Sequence, residues 1–433
     1  MNSGPNEPEW HYLQHTKVRG PVSMEELSAL MAAGTVSEDT LVAAKGSSQW
    51  QSIGEVLNDY RAGRFVGPDL PPLPGTATVR PKSLLDQIGE TLNQVAGTEK
   101  LEGFSLSGIF SETFKKRTVA EMEEYLIVGT PTTTPKIAEV ETGWPKPWLF
   151  ARFLLIFGGL YLGFVLTFKA FANLSLVPGL ILMGTSTVPI ATLILFFELN
   201  TPRNISFYRL VVLMGFGGMA SMFISLIGYD FGHLNWLGAS SAGIVEELGK
   251  LAALILIIRS PRYKYILNGM LFGAAVGTGF AIFESAGFAL SVLAQGYGSK
   301  AMMNNIEFRG ILAPLMHIAW TAMVGAALWR VKRDQPITLP TLLNPRFYKV
   351  LLVAMVLHMI WNLHPGNSGA SDFFKDFLLG TAAWFIIWGL VQQGLRQVRD
   401  EQREAASAEI AVRSMATPTV VEPPSPPSLE TKI

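Results

Sequence analysis

Ala242-Gly243-Ile244-Val245-Glu246-Glu247-Leu248-Gly249-Lys250-Leu251-Ala252-Ala253-Leu254-Ile255-Leu256-Ile257 is an apolar run with three ionisable residues inside it. Whether it crosses a membrane decides the fold, because accepting it fixes the sidedness of every segment that follows. Counting it, about eight runs approach the roughly 20 residues that a helix needs to cross a ~30 Å hydrocarbon core. They centre near Phe157, Met183, Gly217, Ala252, Gly277, Thr321, Met355 and Phe385. Loop charge argues for keeping the fourth. With all of them spanning and the N-terminus inside, the inner loops hold Arg203 and Arg209, then Arg259, Arg262 and Lys264, then Arg330, Lys332, Arg333, Arg346 and Lys349. The outer loops hold only Lys169, then none, then Lys300 and Arg309, then Lys375. This is the lysine and arginine bias of the positive-inside rule, and removing the fourth run would invert its later half. The expectation is an all-α polytopic membrane bundle of a cell (inner) membrane, with both termini cytoplasmic.

The chain has 433 residues, a formal net charge of zero and no cysteine. Disulfides, thiolate nucleophiles and cysteine metal sites are therefore excluded, and any metal would need histidine and carboxylate ligands. Met1 to Trp10 lacks the basic patch and apolar run of a signal peptide, which favours a cytoplasmic N-terminal segment. Balanced charge, without a basic stripe on the polar parts, argues against nucleic-acid binding.

Four regions are expected: a small folded domain at 9–60, a linker and amphipathic juxtamembrane segment at 61–144, the membrane domain at 145–395, and a disordered proline-rich tail at 396–433. The tail carries Pro423, Pro424, Pro426 and Pro427 among Ser, Thr and Glu, too little apolar surface to fold. Pro68 to Pro81 reads as linker, and Leu84, Leu85, Ile88, Leu92 and Val95 recur at helical spacing, suiting a membrane surface or a partner.

In the first domain, strand-like pieces at Trp10 to Leu13 and Thr40 to Ala43 flank an amphipathic helix at Met24 to Ala33 that Ser23 caps. Trp10, Tyr12, the run Gly20-Pro21-Val22-Ser23, Glu26-Leu27, Gly34, Asp39-Thr40-Leu41-Val42 and Trp50 resemble the bacterial GYF-like domain, a small α+β fold. The resemblance implies a proline-rich peptide ligand on an aromatic face, as suits the low-entropy polyproline helix. Trp10 and Trp50 as plain core residues are the alternative.

Ionisable groups inside apolar spans each cost a few kcal/mol to insert, so they are functional candidates by default. The first three runs and the eighth have none near mid-span, whereas the fourth to seventh carry Glu246, Glu247 and Lys250, then Glu284, then His317, then His358 with Asn362. Alternating direction puts Glu246, Glu284, His317 and His358 each roughly 7 to 10 residues from the outer surface, or ~10 to 15 Å at the rise of a helix. Gly269, Gly273, Gly277 and Glu284 form one stripe, as do Ala313, His317, Thr321 and Gly325, and Ala354, His358 and Asn362. Small residues on such stripes allow close helix packing, so the polar groups face protein. The bland alternative is a buried Lys250 ion pair with histidines bonding across helices. Trp361 reads as an orienting or interfacial aromatic, and His364 as an outer-interface residue.

Glu246-Glu247-x-x-Lys250, Phe280-x-x-x-Glu284, His317 followed by Gly325, and His358-x-x-Trp361-Asn362 resemble the motifs of PrsW-type intramembrane proteases, distant relatives of the CAAX-processing membrane proteases. The resemblance covers roughly residues 145 to 395. It implies cleavage of membrane-anchored proteins, anti-sigma factors being the best-known substrates, with Glu246 as general base and Glu247 orienting or balancing charge. Lys250 would hold at least one acid as the anion. His317, His358 and Glu284 make a chemically sensible zinc set with an open position for water. Asn362 is placed to donate to an oxyanion. A metal-free version, in which Glu246 activates water and histidine and asparagine hold the oxyanion, stays open. Two other classes remain: a proton-coupled transporter, which should show an internal repeat with broken helices, and an inactive scaffold recruiting partners through the GYF-like domain.

Overall fold

The computed structural model describes residues 10–14, 17–44, 50–54, 56, 110–258, 262–363 and 369–416. The Pro68 to Pro81 linker, the helical spacing at Leu84 to Val95, His364 and the prolines after residue 416 lie outside them. The chain divides into two compact units, Met1–Ser83 and Leu84–Ile433.

In the first unit, β1 (Trp10–Gln14), β2 (Lys17–Val22), β3 (Leu41–Ala44) and β4 (Gln51–Ser52) form an antiparallel sheet in the order β2-β1-β3-β4. Helix α1 (Met24–Ala32) starts as its sequence dictates. Ser23 Oγ accepts from Glu26 N while Glu26 Oε2 accepts from Ser23 N, a complete capping box. Trp10, Tyr12, Leu27, Val42 and Ile53 close the core, so Trp10 is a core residue here.

The second unit is helical: α2 (Val119–Ile127), α3 (Leu149–Phe171), α4 (Val177–Leu199), α5 (Phe207–Gly232, with a π turn at Leu213–Gly217), α6 (Ala242–Ile257), α7 (Ile266–Ala294), α8 (Gly298–Leu312), α9 (His317–Lys332), α10 (Pro345–Trp361) and α11 (Gly369–Ala416). Among the described residues, six segments are long and apolar enough to cross a membrane: Leu149–Phe171, Leu174–Leu199, Phe207–Gly232, Ile266–Ala294, Gly298–Lys332 and Ser371–Ala408. The protein is thus a multi-pass helical membrane protein. The expected fourth and seventh runs are the helices α6 and α10, which at 16 and 17 residues are shorter than these six segments and not among them.

Helix α7 is the axis of the bundle, with 89% of its apolar window buried against 17% for the peripheral α3. Its glycines make that possible. A Cβ on Gly277 would lie 2.5 Å from the His317 carbonyl oxygen, so only glycine lets α9 run this close. Gly243 does the same for α6 against α10, where a Cβ would lie 2.7 Å from Met355 O.

Three departures from the sequence reading matter. First, Gly298–Leu312, read as part of an outer loop, is the helix α8, which buries Met302, Met303 and Ile306 with residues of α3, α4 and α7. Second, α11 continues to Ala416, so residues 396–416 are helix and not disordered tail. The extension is rich in Ala, Glu, Gln and Arg, good helix formers, and it is pinned by Gln402 Nε2 donating to Ile137 O (2.6 Å) and Val140 O (2.7 Å), and by Lys264 Nζ on Glu401 Oε1 (2.6 Å). Third, residues 110–144, expected within the linker and juxtamembrane segment, belong to the same compact unit as the membrane helices. The buried Glu198 at the end of α4 accepts from the backbone N–H groups of Trp148, Leu149 and Phe150 at 2.7 to 2.9 Å, satisfying donors at the start of α3. Tyr125 of α2 donates to the same carboxylate at 3.2 Å, and burial, then the Glu198 charge, push its hydroxyl well above the usual phenol range.

Candidate functional site

Helix α6 places Glu246 and Glu247 four and three residues ahead of Lys250, so both acids share a face with the lysine. Lys250 Nζ donates to Glu247 Oε1 at 2.7 Å and stands 3.7 Å from Glu246 Oε2. The lysine is fully buried and lies 4.2 Å from the centre of the Phe280 ring. A buried ammonium is tolerable only with such company.

The two histidines arrive from separate helices. His317 opens α9 just after a break at Met316 (φ −122°, ψ −118°), which ends the short turn Ala313–Leu315 and re-aims the chain. Its Nδ1 is 2.8 Å from Lys250 Nζ; an ammonium has only donors, so the ring nitrogen accepts. Its Nε2 is 2.9 Å from Glu284 Oε2, out of line for a hydrogen bond, and is otherwise unpartnered. His358, in the last turn of α10, hydrogen-bonds through Nδ1 to Glu247 Oε1 at 2.9 Å and turns Nε2 to within 3.8 Å of Glu246 Oε2. Trp320 stacks on the His358 ring at 4.5 Å, and Trp361 packs edge-on against Trp320.

Glu246 is the least committed acid. Its Oε1 accepts from the Tyr229 hydroxyl of α5 at 3.0 Å, while its buried Oε2 has no hydrogen-bond partner. That bare oxygen faces Lys250 Nζ, His358 Nε2 and His317 Nδ1 at 3.7, 3.8 and 4.0 Å. Glu246, His317 and His358 offer ligand atoms within 4.8 Å of one another, all three buried.

The expected ligand set was Glu284, His317 and His358; the group whose ligand atoms lie together is Glu246, His317 and His358, with Glu246 in place of Glu284. Glu284 sits on the far side of His317, where Arg309 of α8 claims it in a charge-assisted hydrogen bond. Asn362 caps the end of α10 and donates to Ala239 O at 3.2 Å. Two site residues escaped the sequence reading. Tyr229 sits at the end of a span otherwise typical of lipid-facing helices, and Arg309 lies in the segment taken for a loop. Met302, Ile306 and Gly310 at steps of four were the signal that could have revealed α8.

The buried Glu246 Oε2 has no hydrogen-bond partner and lies within 4.0 Å of ring nitrogens of both histidines, which is where a cation would complete its contacts. Two imidazoles and a carboxylate also suit zinc-type chemistry. The residues fit a divalent ion, provided that Lys250 yields the Nδ1 lone pair of His317.

Residues 205–391 match the family model described as PrsW family intramembrane metalloprotease, and residues 10–57 match GYF domain 2. No curated protein and no solved structure matches the chain.

Proposed function

We propose that the chain is an intramembrane endopeptidase hydrolysing a peptide bond of a membrane-anchored, anti-sigma-factor-like protein, a reading supported by the match of residues 205–391 to the PrsW family intramembrane metalloprotease model and of residues 10–57 to GYF domain 2. The observation that carries this reading is the buried Glu246 Oε2, bare of hydrogen bonds and aimed at two histidines and a lysine.

Peptide hydrolysis needs an activated water, a stabilised oxyanion and a proton for the leaving amine. Glu246 is the general base: Tyr229 fixes Oε1, leaving Oε2 to accept the proton from water. Glu247 is held between Lys250 and His358, so it orients the imidazole and keeps Nε2 turned towards Glu246. Without a metal, His358 Nε2, 3.8 Å from Glu246 Oε2, would relay that proton to the leaving nitrogen; with one bound, Nε2 is a ligand and Glu246 itself passes the proton on. Lys250 stands among the reacting groups and stabilises the oxyanion, a role that Asn362 would take only by turning from the Ala239 carbonyl. His317, His358 and either Glu246 or Glu284 would hold a divalent ion, zinc by the donor set, which supplies Lewis-acid polarisation of the carbonyl.

A second reading has Glu246 as a ligand rather than the base, and its 3.8 and 4.0 Å approaches to the two histidines favour that reading. Elemental analysis of Glu246→Gln, purified without chelator, separates the two. A base leaves the metal in place and loses turnover, whereas a ligand loses both. The test of the function itself is co-reconstitution with a single-span substrate. Continued cleavage by a Glu246→Gln, Glu247→Gln double variant would refute the protease reading and favour a scaffold or transporter. The loop charges support cytoplasmic termini in the inner membrane, and on that reading the GYF domain would recruit a proline-rich partner in the cytoplasm.

A further inference from the structure

The strongest feature that the proposed mechanism leaves unused is Arg309. Its helix, α8, is the more polar first part of the Gly298–Lys332 segment, yet it packs into the bundle and delivers a half-buried guanidinium to the edge of the site. Arg309 donates to Glu284 Oε2, and its Nε donates to Ser285 Oγ at 3.1 Å, so two consecutive residues of α7 are held by one planar group. The Phe288 ring, one turn further along α7, lies 4.4 Å from the guanidinium carbon and fixes the plane of the fork. Glu284, so held, places Oε2 2.9 Å from His317 Nε2.

We propose that Arg309 is a positioning residue: it fixes Glu284 against His317 and thereby sets the orientation of the imidazole that faces Glu246 and Lys250. The inference rests on the protease reading for its kinetic consequence, and on geometry alone for its structural one. Without Arg309, the Glu284 carboxylate has no fixed partner on its outer side. It then turns toward the nearest donors, Lys250 included, and the His317 ring is no longer braced. An outer partner of a histidine of this kind contributes about 10- to 100-fold to activity or metal affinity when it is removed. Arginine is the residue for the task because its fork reaches a carboxylate and a hydroxyl at once, which a lysine point charge does only in part.

The test uses full-length protein in lipid. Arg309→Met is expected to lower kcat by about 10- to 100-fold with KM unchanged, and Arg309→Lys to recover part of it. The Glu284→Gln, Arg309→Met double variant should be no worse than Glu284→Gln alone, because both act through one carboxylate. Independently of activity, magic-angle-spinning NMR of ring-15N histidine reads the imidazoles directly, with His317 assigned among the six histidines by His317→Ala. The His317 resonances should shift in Arg309→Met and return towards their wild-type positions in Arg309→Lys. Unchanged His317 resonances in a folded Arg309→Met protein overturn the proposal, as do losses that multiply in the double variant. If the wild type cleaves nothing, the protease reading fails, and the NMR result still decides whether Arg309 positions His317.

Discussion

Gly277→Ala is the smallest change that should move a site residue. The added Cβ would lie 2.5 Å from His317 O, 3.0 Å from Ile318 Cα and 3.1 Å from His317 C, where ordinary contact begins at 3.4 Å. All three neighbours are backbone, so no side chain can rotate out of the way, and α9 must retreat by about 0.9 Å at the residue that carries the imidazole. Overpacking of this kind costs about 1 to 3 kcal/mol, which a bundle of this size survives. A misplacement near 1 Å at a reacting group is expected to cost on the order of a hundredfold in turnover. The assay is cleavage of a co-reconstituted single-span substrate, with unfolding midpoints measured in the same detergent. Gly287→Ala serves as the control: it lies on the same helix with nothing within 4 Å of its Cβ position, and should be neutral. Wild-type turnover in Gly277→Ala would mean that the close α7 to α9 crossing does not set the His317 position, and would falsify the geometric argument.

Tyr229→Phe removes one donor from the Glu246 carboxylate and should lower kcat about tenfold, the worth of one hydrogen bond to a charged group, with KM within twofold; an unchanged kcat counts against Glu246 as the reacting acid. Glu198→Ala strands three backbone N–H groups at the start of α3, so the unfolding midpoint should fall by an amount equivalent to about 3 kcal/mol, and an unmoved midpoint would show that water replaces the clasp. Deleting Met1 to Gly67, within the separate first unit, should leave cleavage intact while abolishing binding of a proline-rich peptide; complete loss of cleavage by the folded truncation would make the domain part of the catalytic apparatus.

The acids and histidines of the site were legible because apolar sequence makes each charged residue conspicuous, and Glu246, Glu247 and Lys250 stand out in a run of Leu, Ile and Ala. The glycine stripe at steps of four on α7 was legible for the same reason: period and residue size are both written in one dimension. Arg309 was not, since α8 is polar enough to pass for a loop and is helical because Met302 and Ile306 find partners on other helices. The Glu198 clasp joins residues about fifty positions apart, and no local pattern announces it. Nor could spacing rank Glu246 above Glu284 as the inner acid, because both lie on the expected face and at the expected depth. The choice turns on Arg309, which draws Glu284 outward.

The lengths of the two shorter helices bear on how water reaches the site. At 1.5 Å per residue, α6 and α10 extend only about 24 and 26 Å, less than the ~30 Å hydrocarbon core. Glu246 is the fifth residue of α6, His358 the fourth from the end of α10 and His317 the first of α9, so all three lie within about a turn and a half of helix ends. The α6 and α10 ends are the same end of the bundle, since Ser240 Oγ donates to Met359 O at 3.1 Å and Asn362 donates to Ala239 O at 3.2 Å. The proposed hydrolytic groups are therefore gathered near the ends where α6 and α10 stop short. A membrane-embedded hydrolase has to admit water to a peptide bond that the bilayer keeps dry, and placing its acids at the ends of truncated helices meets that need without opening a channel through the bundle.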